Sequence, residues 1–242
     1  MSTTSGWVLE RRLGGETTVS PFVDRVNALR FSPDGKTLAA GGGEPSRSGD
    51  ISLWDVASGK LIIEWKERHS DTVLSLDFSS DGKRLASGGA DKIARVTDLA
   101  DGKTVNVLEG HTHHVLGVSF RADGRVLATA GADGVVIVWD MISGERKKKI
   151  EGWSKEVTSL QFIGATNQIP TSAGDNLVRI VDDLGAQIRA MPKLPDFMQA
   201  AAASVTARTI IGGGEDGVLC VWNGTTGQEL ARFGADSDAK RP

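Results

Sequence analysis

Hydrophobic and polar residues alternate with a period of two along most of the chain. VLGVSF (115–120) alternates and ends at the turn ADG, and VLATA (126–130) stops at a second ADG. VVIVWD (135–140) then runs to the turn ISG (142–144), and ERKKKI (145–150) follows it. Asp-Gly pairs supply the backbone conformations that tight hairpins require. The pattern therefore predicts four short strands joined by turns.

This four-strand unit recurs along the chain. Five segments that close on Asp or Asn align with one another: SLWD (52–55), RVTD (95–98), IVWD (137–140), RIVD (179–182) and CVWN (220–223). Their third positions are spaced 43, 42, 42 and 41 residues apart. A regular spacing of this length indicates a repeat architecture.

The repeats predict a single all-β domain over residues 1–242. Its five units are expected at about 25–65, 72–107, 113–150, 156–190 and 199–233. MQAAAASV (198–205) is helix-like by composition, but it falls in register with the first strand of the fifth unit. The repeat therefore predicts a strand there.

Composition and charge argue against a function in nucleic-acid binding. The chain has 242 residues, 39% of them apolar, and its 31 acidic and 28 basic residues give a net charge of −3. Phosphate binding needs a basic excess, so nucleic acid is not the expected partner. RKKK (146–149) falls on an outermost strand, where lysines protect a sheet edge.

The chain also lacks the signals of membrane insertion and secretion. No run approaches the roughly 20 apolar residues of a membrane helix, and the first residues lack the apolar region of a secretory signal. These features predict no membrane partner and a soluble, cytoplasmic chain. Cys220 is the single cysteine and is expected to be a small buried hydrophobe. We predict no cofactor.

The chain resembles the WD-repeat β-propeller family over residues 25–233. The resemblance rests first on a repeat of about 42 residues that ends in Trp-Asp. It rests also on the third copy, which contains GH (110–111), ADG and VWD in the family's order. The resemblance implies a β-propeller of five four-stranded blades, either a closed ring or an arc of a larger propeller. It also implies a non-enzymatic scaffold that binds a protein or peptide.

The resemblance assigns a structural role to one histidine of GHTHHV (110–115). In WD repeats this histidine lies in the loop that enters the first strand and belongs to a hydrogen-bonded quartet. Carried over, the quartet in the third copy is His111, Thr129, Asp133 and Trp139. Such buried polar groups cost free energy unless they satisfy one another.

The other copies depart from this pattern. The second has Thr97 where the Trp is expected, and the first and fifth have Phe22 and Leu194 where the His is expected. The fourth has Trp153 at the His position and Val181 at the Trp position. Trp153 is expected either to fill the space that Val181 leaves or to be an exposed anchor for a partner.

The family layout predicts a contact surface called the top face, where the loops before strand one and between strands two and three converge. Five residues are candidate protein contacts there: Arg47, His113, His114, Trp153 and Glu215. Arg47 lies in GGGEPSRSGD (41–50), an insertion relative to the other copies, and extra loop length on a rigid scaffold often carries function. A tolerated insertion without a role is the alternative.

We predict no metal site and no catalytic residues. A zinc site needs three or four ligands in tetrahedral reach, and the loop offers the neighbouring pair His113 and His114. The alternative is a metal-dependent propeller enzyme, which stoichiometric metal in the purified protein would favour.

A second resemblance concerns the amino-acid sequences of three segments. FVDRV (22–26), GGGEPSRSGD (41–50) and GHTHHVLGV (110–118) are similar to propeller regions of large bacterial proteins of planctomycete type that carry a c-type cytochrome domain. This similarity implies a sensor or docking module beside a haem protein, with a periplasmic location.

The N-terminal segment bears on closure of the ring. WVLERRL (7–13) aligns with the fourth strand of a blade whose other strands are absent. An arc with uncovered end faces is expected to self-associate.

Overall fold

The computed structural model describes Leu13 and residues 20–234, and every regular element in this part of the chain is a β-strand. Blade 1 contains β1 (Arg25–Phe31), β2 (Thr37–Gly43), β3 (Gly49–Asp55) and β4 (Leu61–His69). Blade 2 contains β5 (Val73–Phe78), β6 (Arg84–Gly89), β7 (Ile93–Asp98) and β8 (Thr104–Glu109). Blade 3 contains β9 (Val115–Phe120), β10 (Val126–Gly131), β11 (Val136–Asp140) and β12 (Arg146–Ile150). Blade 4 contains β13 (Val157–Leu160), β14 (Gln168–Ala173), β15 (Leu177–Asp182) and β16 (Gln187–Ala190). Blade 5 contains β17 (Met198–Ala203), β18 (Thr209–Gly214), β19 (Leu219–Asn223) and β20 (Glu229–Phe233).

Each blade is an antiparallel sheet whose strands follow one another in chain order. The predicted all-β fold of five four-stranded units is therefore confirmed. The Asp-Gly turns behave as their sequence indicates: Gly124, between β9 and β10, has φ +67°, and the Asp123 carboxylate accepts the Arg125 N–H at 3.0 Å. The alanine-rich segment forms strand β17, because its register in the repeat outweighs helix propensity.

Neighbouring blades pack face to face through apolar clusters. We call the side of a blade that meets the preceding blade its head face, and the opposite side its tail face. Between blades 2 and 3, for example, Ala86 and Val96 of one tail face pack against Val118, Phe120 and Trp139 of the next head face. The first strands β1, β5, β9, β13 and β17 contact one another in sequence and lie at the centre.

Polar side chains also connect consecutive blades at the centre. The residue before the last position of a first strand reaches a backbone N–H of the next blade: Asp77 accepts from Phe120 at 2.7 Å, and Ser119 accepts from Phe162 at 3.0 Å. We call this contact the inter-blade latch. Gln161 makes the corresponding contact, at 3.4 Å, with the N–H of Ala203. In blade 1 this position is Arg30, whose side chain pairs with Asp77 at 2.8 Å.

The two ends of the blade series do not meet. β1 and β17 lack the packing that joins the first strands of neighbouring blades. On the head face of blade 1, Leu29 is 64% and Phe31 57% exposed, and on the tail face of blade 5, Ile211 is 36% and Leu219 40% exposed. The five blades therefore form an open arc in the described part of the chain.

Part of the head face of blade 1 is covered by residues that precede β1. Leu13 and Phe22 pack against Leu38, Ala40 and Trp54 there. The predicted orphan strand 7–13 lies outside the described residues apart from Leu13.

Candidate functional site

The insertion loop between β2 and β3 is held against the entry to blade 2. The Ser46 N–H donates to Asp71 Oδ1 at 2.7 Å, and Arg47 Nη1 pairs with Glu44 Oε1 at 2.6 Å. Ser46 adopts a left-handed backbone with φ +60°, which is rare for residues with a side chain. The loop thus has a defined conformation and presents Arg47 to solvent.

The histidine pair lies on the loop that enters blade 3. The His113 and His114 rings are 4.3 Å apart between centroids, and the His114 N–H donates to His113 Nδ1 at 2.9 Å. The His114 carbonyl accepts the Ala132 N–H at 2.9 Å, which ties the pair to the turn after β10. His113 is exposed and His114 is half-buried.

Charged groups around His114 connect this loop to blades 1 and 2. Burial lowers the pKa of His114, and the charges of His113 and Lys92 act in the same direction, whereas that of Asp71 opposes them. Asp71, whose charge acts on His114, also accepts the Ser46 N–H of the insertion loop at 2.7 Å. Sequence reasoning missed Asp71 and Lys92 because no repeat position marks them.

The strand order places these loops at the same end of blades 1 to 3. We call the loop surface at this end the top patch and define it by five residues: Arg47, Asp71, Lys92, His113 and His114. Lys92 has φ +71° at a turn position where blade 3 has Gly134, with φ +72°. A lysine held there is strained by about 1–2 kcal/mol.

Glu215 lies on the same face but on blade 5. Its carboxylate accepts from Gln199 Nε2 at 2.8 Å, and its N–H donates to the Phe197 carbonyl at 3.0 Å. No described contact connects Glu215 to Arg47 or to the histidine pair. It is a separate exposed carboxylate.

The structure corrects the placement of Trp153 as a partner contact. Its side chain is 9% exposed and packs in the cluster between blades 3 and 4, together with Val157, Leu160 and Val181. The small Val181 leaves room in this cluster, and the indole lies in it. Trp153 therefore belongs to the core, although its Nε1 has no hydrogen-bond partner among the described residues.

His111 lies at the centre of a directional chain of hydrogen bonds in blade 3. Trp139 Nε1 donates to Thr129 Oγ1 at 3.0 Å, and Thr129 Oγ1 lies 2.8 Å from His111 Nε2. His111 Nδ1 lies 3.0 Å from Asp133 Oδ1, and the Thr112 N–H donates to Asp133 Oδ2 at 2.8 Å. Each polar group has a partner when His111 carries its proton on Nδ1.

Burial lowers the pKa of His111, although Asp133 opposes this shift. The imidazole is accordingly held neutral. Together with its closed set of partners, this makes it a structural group rather than a free base at the surface.

Blade 2 completes a similar chain with a different residue. His69 Nε2 lies 2.8 Å from Ser87 Oγ, and His69 Nδ1 lies 2.9 Å from Asp91 Oδ1. Arg95 Nη1 donates to Asp91 Oδ2 at 2.9 Å and lies beside the imidazole. Burial alone would raise the pKa of Asp91, but the hydrogen bonds and charges of His69 and Arg95 hold it at about 2.

Arg95 was not anticipated from the sequence. The period of two could have located it. Arg95 lies two positions before Thr97 on the same strand, so both side chains are on the same face, and it lies four positions after Asp91.

Residues 20–234 contain few other candidates for a metal, redox or charged site. No group of three or more His, Cys, Asp and Glu side chains in these residues has the arrangement of a metal site. Cys220 is buried between blades 4 and 5. Lys147, in the basic stretch of β12, pairs with Asp183 at 3.0 Å. Within the same residues no helix reaches the length and hydropathy that crossing a membrane requires.

The family model described as WD domain, G-beta repeat, matches residues 17–55, 59–98 and 102–140. The matched residues cover β1–β3, β4–β7 and β8–β11, and the last match contains the complete quartet. The chain is a WD-repeat protein.

Blades 4 and 5 of this WD-repeat protein lie outside the matched residues, and both lack the entry histidine, with Trp153 and Leu194 in its place. No curated protein is similar to the chain. The WD-repeat match gives no support to a cytochrome-associated origin. WD repeats generally act as scaffolds for protein interactions.

Proposed function

We propose that this WD-repeat protein is a non-enzymatic scaffold whose top patch binds a protein through a peptide segment. Arg47, His113 and His114 are the proposed primary contacts. Glu215, which lies on the same face at blade 5, is a further contact for a partner long enough to span the arc.

The observation that carries this proposal is the junction at Asp71. This carboxylate accepts the Ser46 N–H of the insertion loop at 2.7 Å and interacts with His114 of the next blade. The insertion loop of blade 1 is thereby fixed on the loop that enters blade 2, whose carboxylate acts electrostatically on the loop that enters blade 3. A rigid scaffold that orders several loops in this way resembles known recognition surfaces.

Backbone strain supports the same assignment. Ser46 and Lys92, both in the loops of the top patch, have left-handed backbones that glycine would adopt more easily. Strained positions of this kind cluster at ligand-binding sites, where the surrounding structure holds them in place.

The proposal is tested with a displayed library of short peptides selected against the full chain. Binding of the selected peptides is then measured for Arg47→Ala and His114→Ala. We expect affinity to fall about tenfold or more, which corresponds to about 1.4 kcal/mol at a contact residue. Lys148→Ala, an exposed change on the outer strand β12, is the matched control and should leave affinity unchanged.

Peptides that bind both top-patch variants as tightly as the original chain contradict the proposal. Peptides whose binding depends instead on Leu219, on the tail face of blade 5, also contradict it, because they map to the end of the arc.

A further inference from the structure

The ends of the arc expose positions that are buried inside it. Phe31 corresponds by strand register to Phe78 and Phe120, since each ends the first strand of its blade. The equivalent in blade 4 is Phe162, two residues after the end of β13. The three equivalents are buried, whereas Phe31 is 57% exposed. Leu29 is likewise exposed, whereas its equivalents are buried: Leu76, Val118 and Leu160.

The opposite end shows the complementary face. Leu219 corresponds to four residues that are buried on the tail faces of blades 1 to 4: Ile51, Ala94, Val136 and Val178. Ile211 corresponds to Ala39, Ala86 and Ala128, which are also buried. Phe233 pairs with Leu219 across the strands and is 59% exposed.

Each interface inside the arc joins a tail face to a head face. The described residues therefore carry both halves of one interface, with Leu29 and Phe31 uncovered on the head face and Ile211 and Leu219 uncovered on the tail face. We propose that a second copy of this chain docks head to tail, so that the tail face of blade 5 in one molecule packs on the head face of blade 1 in the other.

The contacts at this joint can be specified from the internal interfaces. Leu29 and Phe31 of one copy would pack against Ile211 and Leu219 of the other, as Leu76 and Phe78 pack against the tail face of blade 1. Contiguous exposed apolar surface of this kind marks an association site. Head-to-tail contacts are heterologous, so they continue to further copies unless a ring closes.

The proposed interface between two copies lacks one contact that strengthens the interfaces between blades of one chain. Ala202 occupies in blade 5 the position that Asp77, Ser119 and Gln161 occupy in blades 2 to 4. Those three side chains accept a backbone N–H of the next blade. The Phe31 N–H of a docked copy would find no such acceptor. The assembly is therefore expected to be reversible and concentration-dependent.

The test uses light scattering behind a sizing column on the full chain and on two variants with opposite blocked ends. Phe31→Glu places a charge on the head face, and Leu219→Glu places one on the tail face. We expect the unmodified chain to exceed the mass of a dimer as its concentration rises. Each variant alone should be monomeric.

An equimolar mixture of the two variants should give a dimer and nothing larger, because only one intact head face and one intact tail face remain to pair. Ile142→Glu is the control, since Ile142 is 79% exposed in the turn between β11 and β12, apart from both end faces. It should assemble as the unmodified chain does. Circular dichroism checks that each variant is folded.

Three results would overturn the proposal. A dimer of Phe31→Glu alone would mean tail-to-tail pairing, and a dimer of Leu219→Glu alone would mean head-to-head pairing. An unmodified chain that stays monomeric at every concentration would mean that its ends are closed within one molecule. Ala202→Gln offers an independent check: it supplies the missing acceptor and should tighten assembly, and unchanged or weaker assembly would contradict the blade-like register.

Discussion

Two histidines of the GHTHHV segment differ in what surrounds them. His111 is buried with partners on both ring nitrogens, whereas His113 is exposed and its ring lies tilted beside that of His114. Removing a buried hydrogen-bond partner leaves the remaining groups without solvation, and removing an exposed ring does not. The two residues should therefore respond differently to the same substitution.

We expect His111→Ala to lower the free energy of unfolding by about 1–3 kcal/mol, because Thr129 and Asp133 lose a partner. His113→Ala should change it by less than about 0.5 kcal/mol. Urea unfolding followed by circular dichroism measures both values. Equal effects at the two positions would show that the quartet does not stabilise the blade.

The same hydrogen-bond chains predict how stability depends on pH. Burial lowers the pKa of both His69 and His111; Asp91 and Asp133 oppose the shift, while Arg95 and Lys149 add to it. Below the ordinary histidine pKa of 6.5 the unfolded chain binds protons that the folded chain does not. Stability is thus fully present above this pH and decreases as the pH falls through it towards the folded-state values.

The measurement is the urea midpoint at a series of pH values on both sides of 6.5. We expect the midpoint to fall on the acid side, and the double variant His69→Gln, His111→Gln to show a shallower fall over the same range. A double variant with the original pH dependence would assign the effect to other groups.

At the scale of elements, the inter-blade latch connects sheets that share no strand. Asp77 on β5 accepts the Phe120 N–H of β9 and pairs with Arg30 of β1, so one buried carboxylate joins three blades. Burial raises the pKa of Asp77, and its contacts with Arg30 and Phe120 act against that shift.

Asp77→Ala is expected to destabilise the chain by about 2 kcal/mol or more, because a buried N–H loses its acceptor. Asp77→Asn retains an oxygen for the Phe120 N–H and should cost less. Glu109→Ala, an exposed change on β8, is the control and should be close to neutral. Urea midpoints that are equal for Asp77→Ala and Glu109→Ala would argue against a stabilising latch.

At the scale of the molecule, the blades differ in how many neighbours cover them. Blade 3 packs on both faces and contains the complete quartet, whereas blade 5 packs on its head face alone among residues 20–234. Trp222 of blade 5 also has a buried Nε1 without a partner among the described residues. Repeat proteins open most easily where nearest-neighbour interfaces are missing.

Hydrogen exchange followed by mass spectrometry should reveal this gradient. Under dilute conditions that keep the chain monomeric, amides of blade 3 are expected to exchange slowest and those of blade 5 fastest. Uniform protection from blade 1 to blade 5 would show that the ends are covered.

The sequence by itself determined the strands, their turns and the order of the blades. A period of two assigns alternate residues to opposite faces of a strand, and Asp-Gly pairs end the strands, so both signals are local. The quartet could also be located from the sequence, because the resemblance to WD repeats implies its positions and the third copy has His111, Thr129, Asp133 and Trp139 there.

Only the tertiary structure decided which faces are covered. Phe31 and Phe78 occupy the same position of their repeats, yet the first is exposed and the second buried, because in the described part of the chain blade 1 covers Phe78 and no blade covers Phe31. Trp153 is a core residue for the same kind of reason, since its cluster joins residues of blade 4, such as Val181, to residues of blade 3, such as Val136. The contact of the insertion loop with Asp71 likewise joins residues that are 25 positions apart in the chain. Periodicity specifies the face of a strand, whereas its burial depends on residues that are distant in the chain.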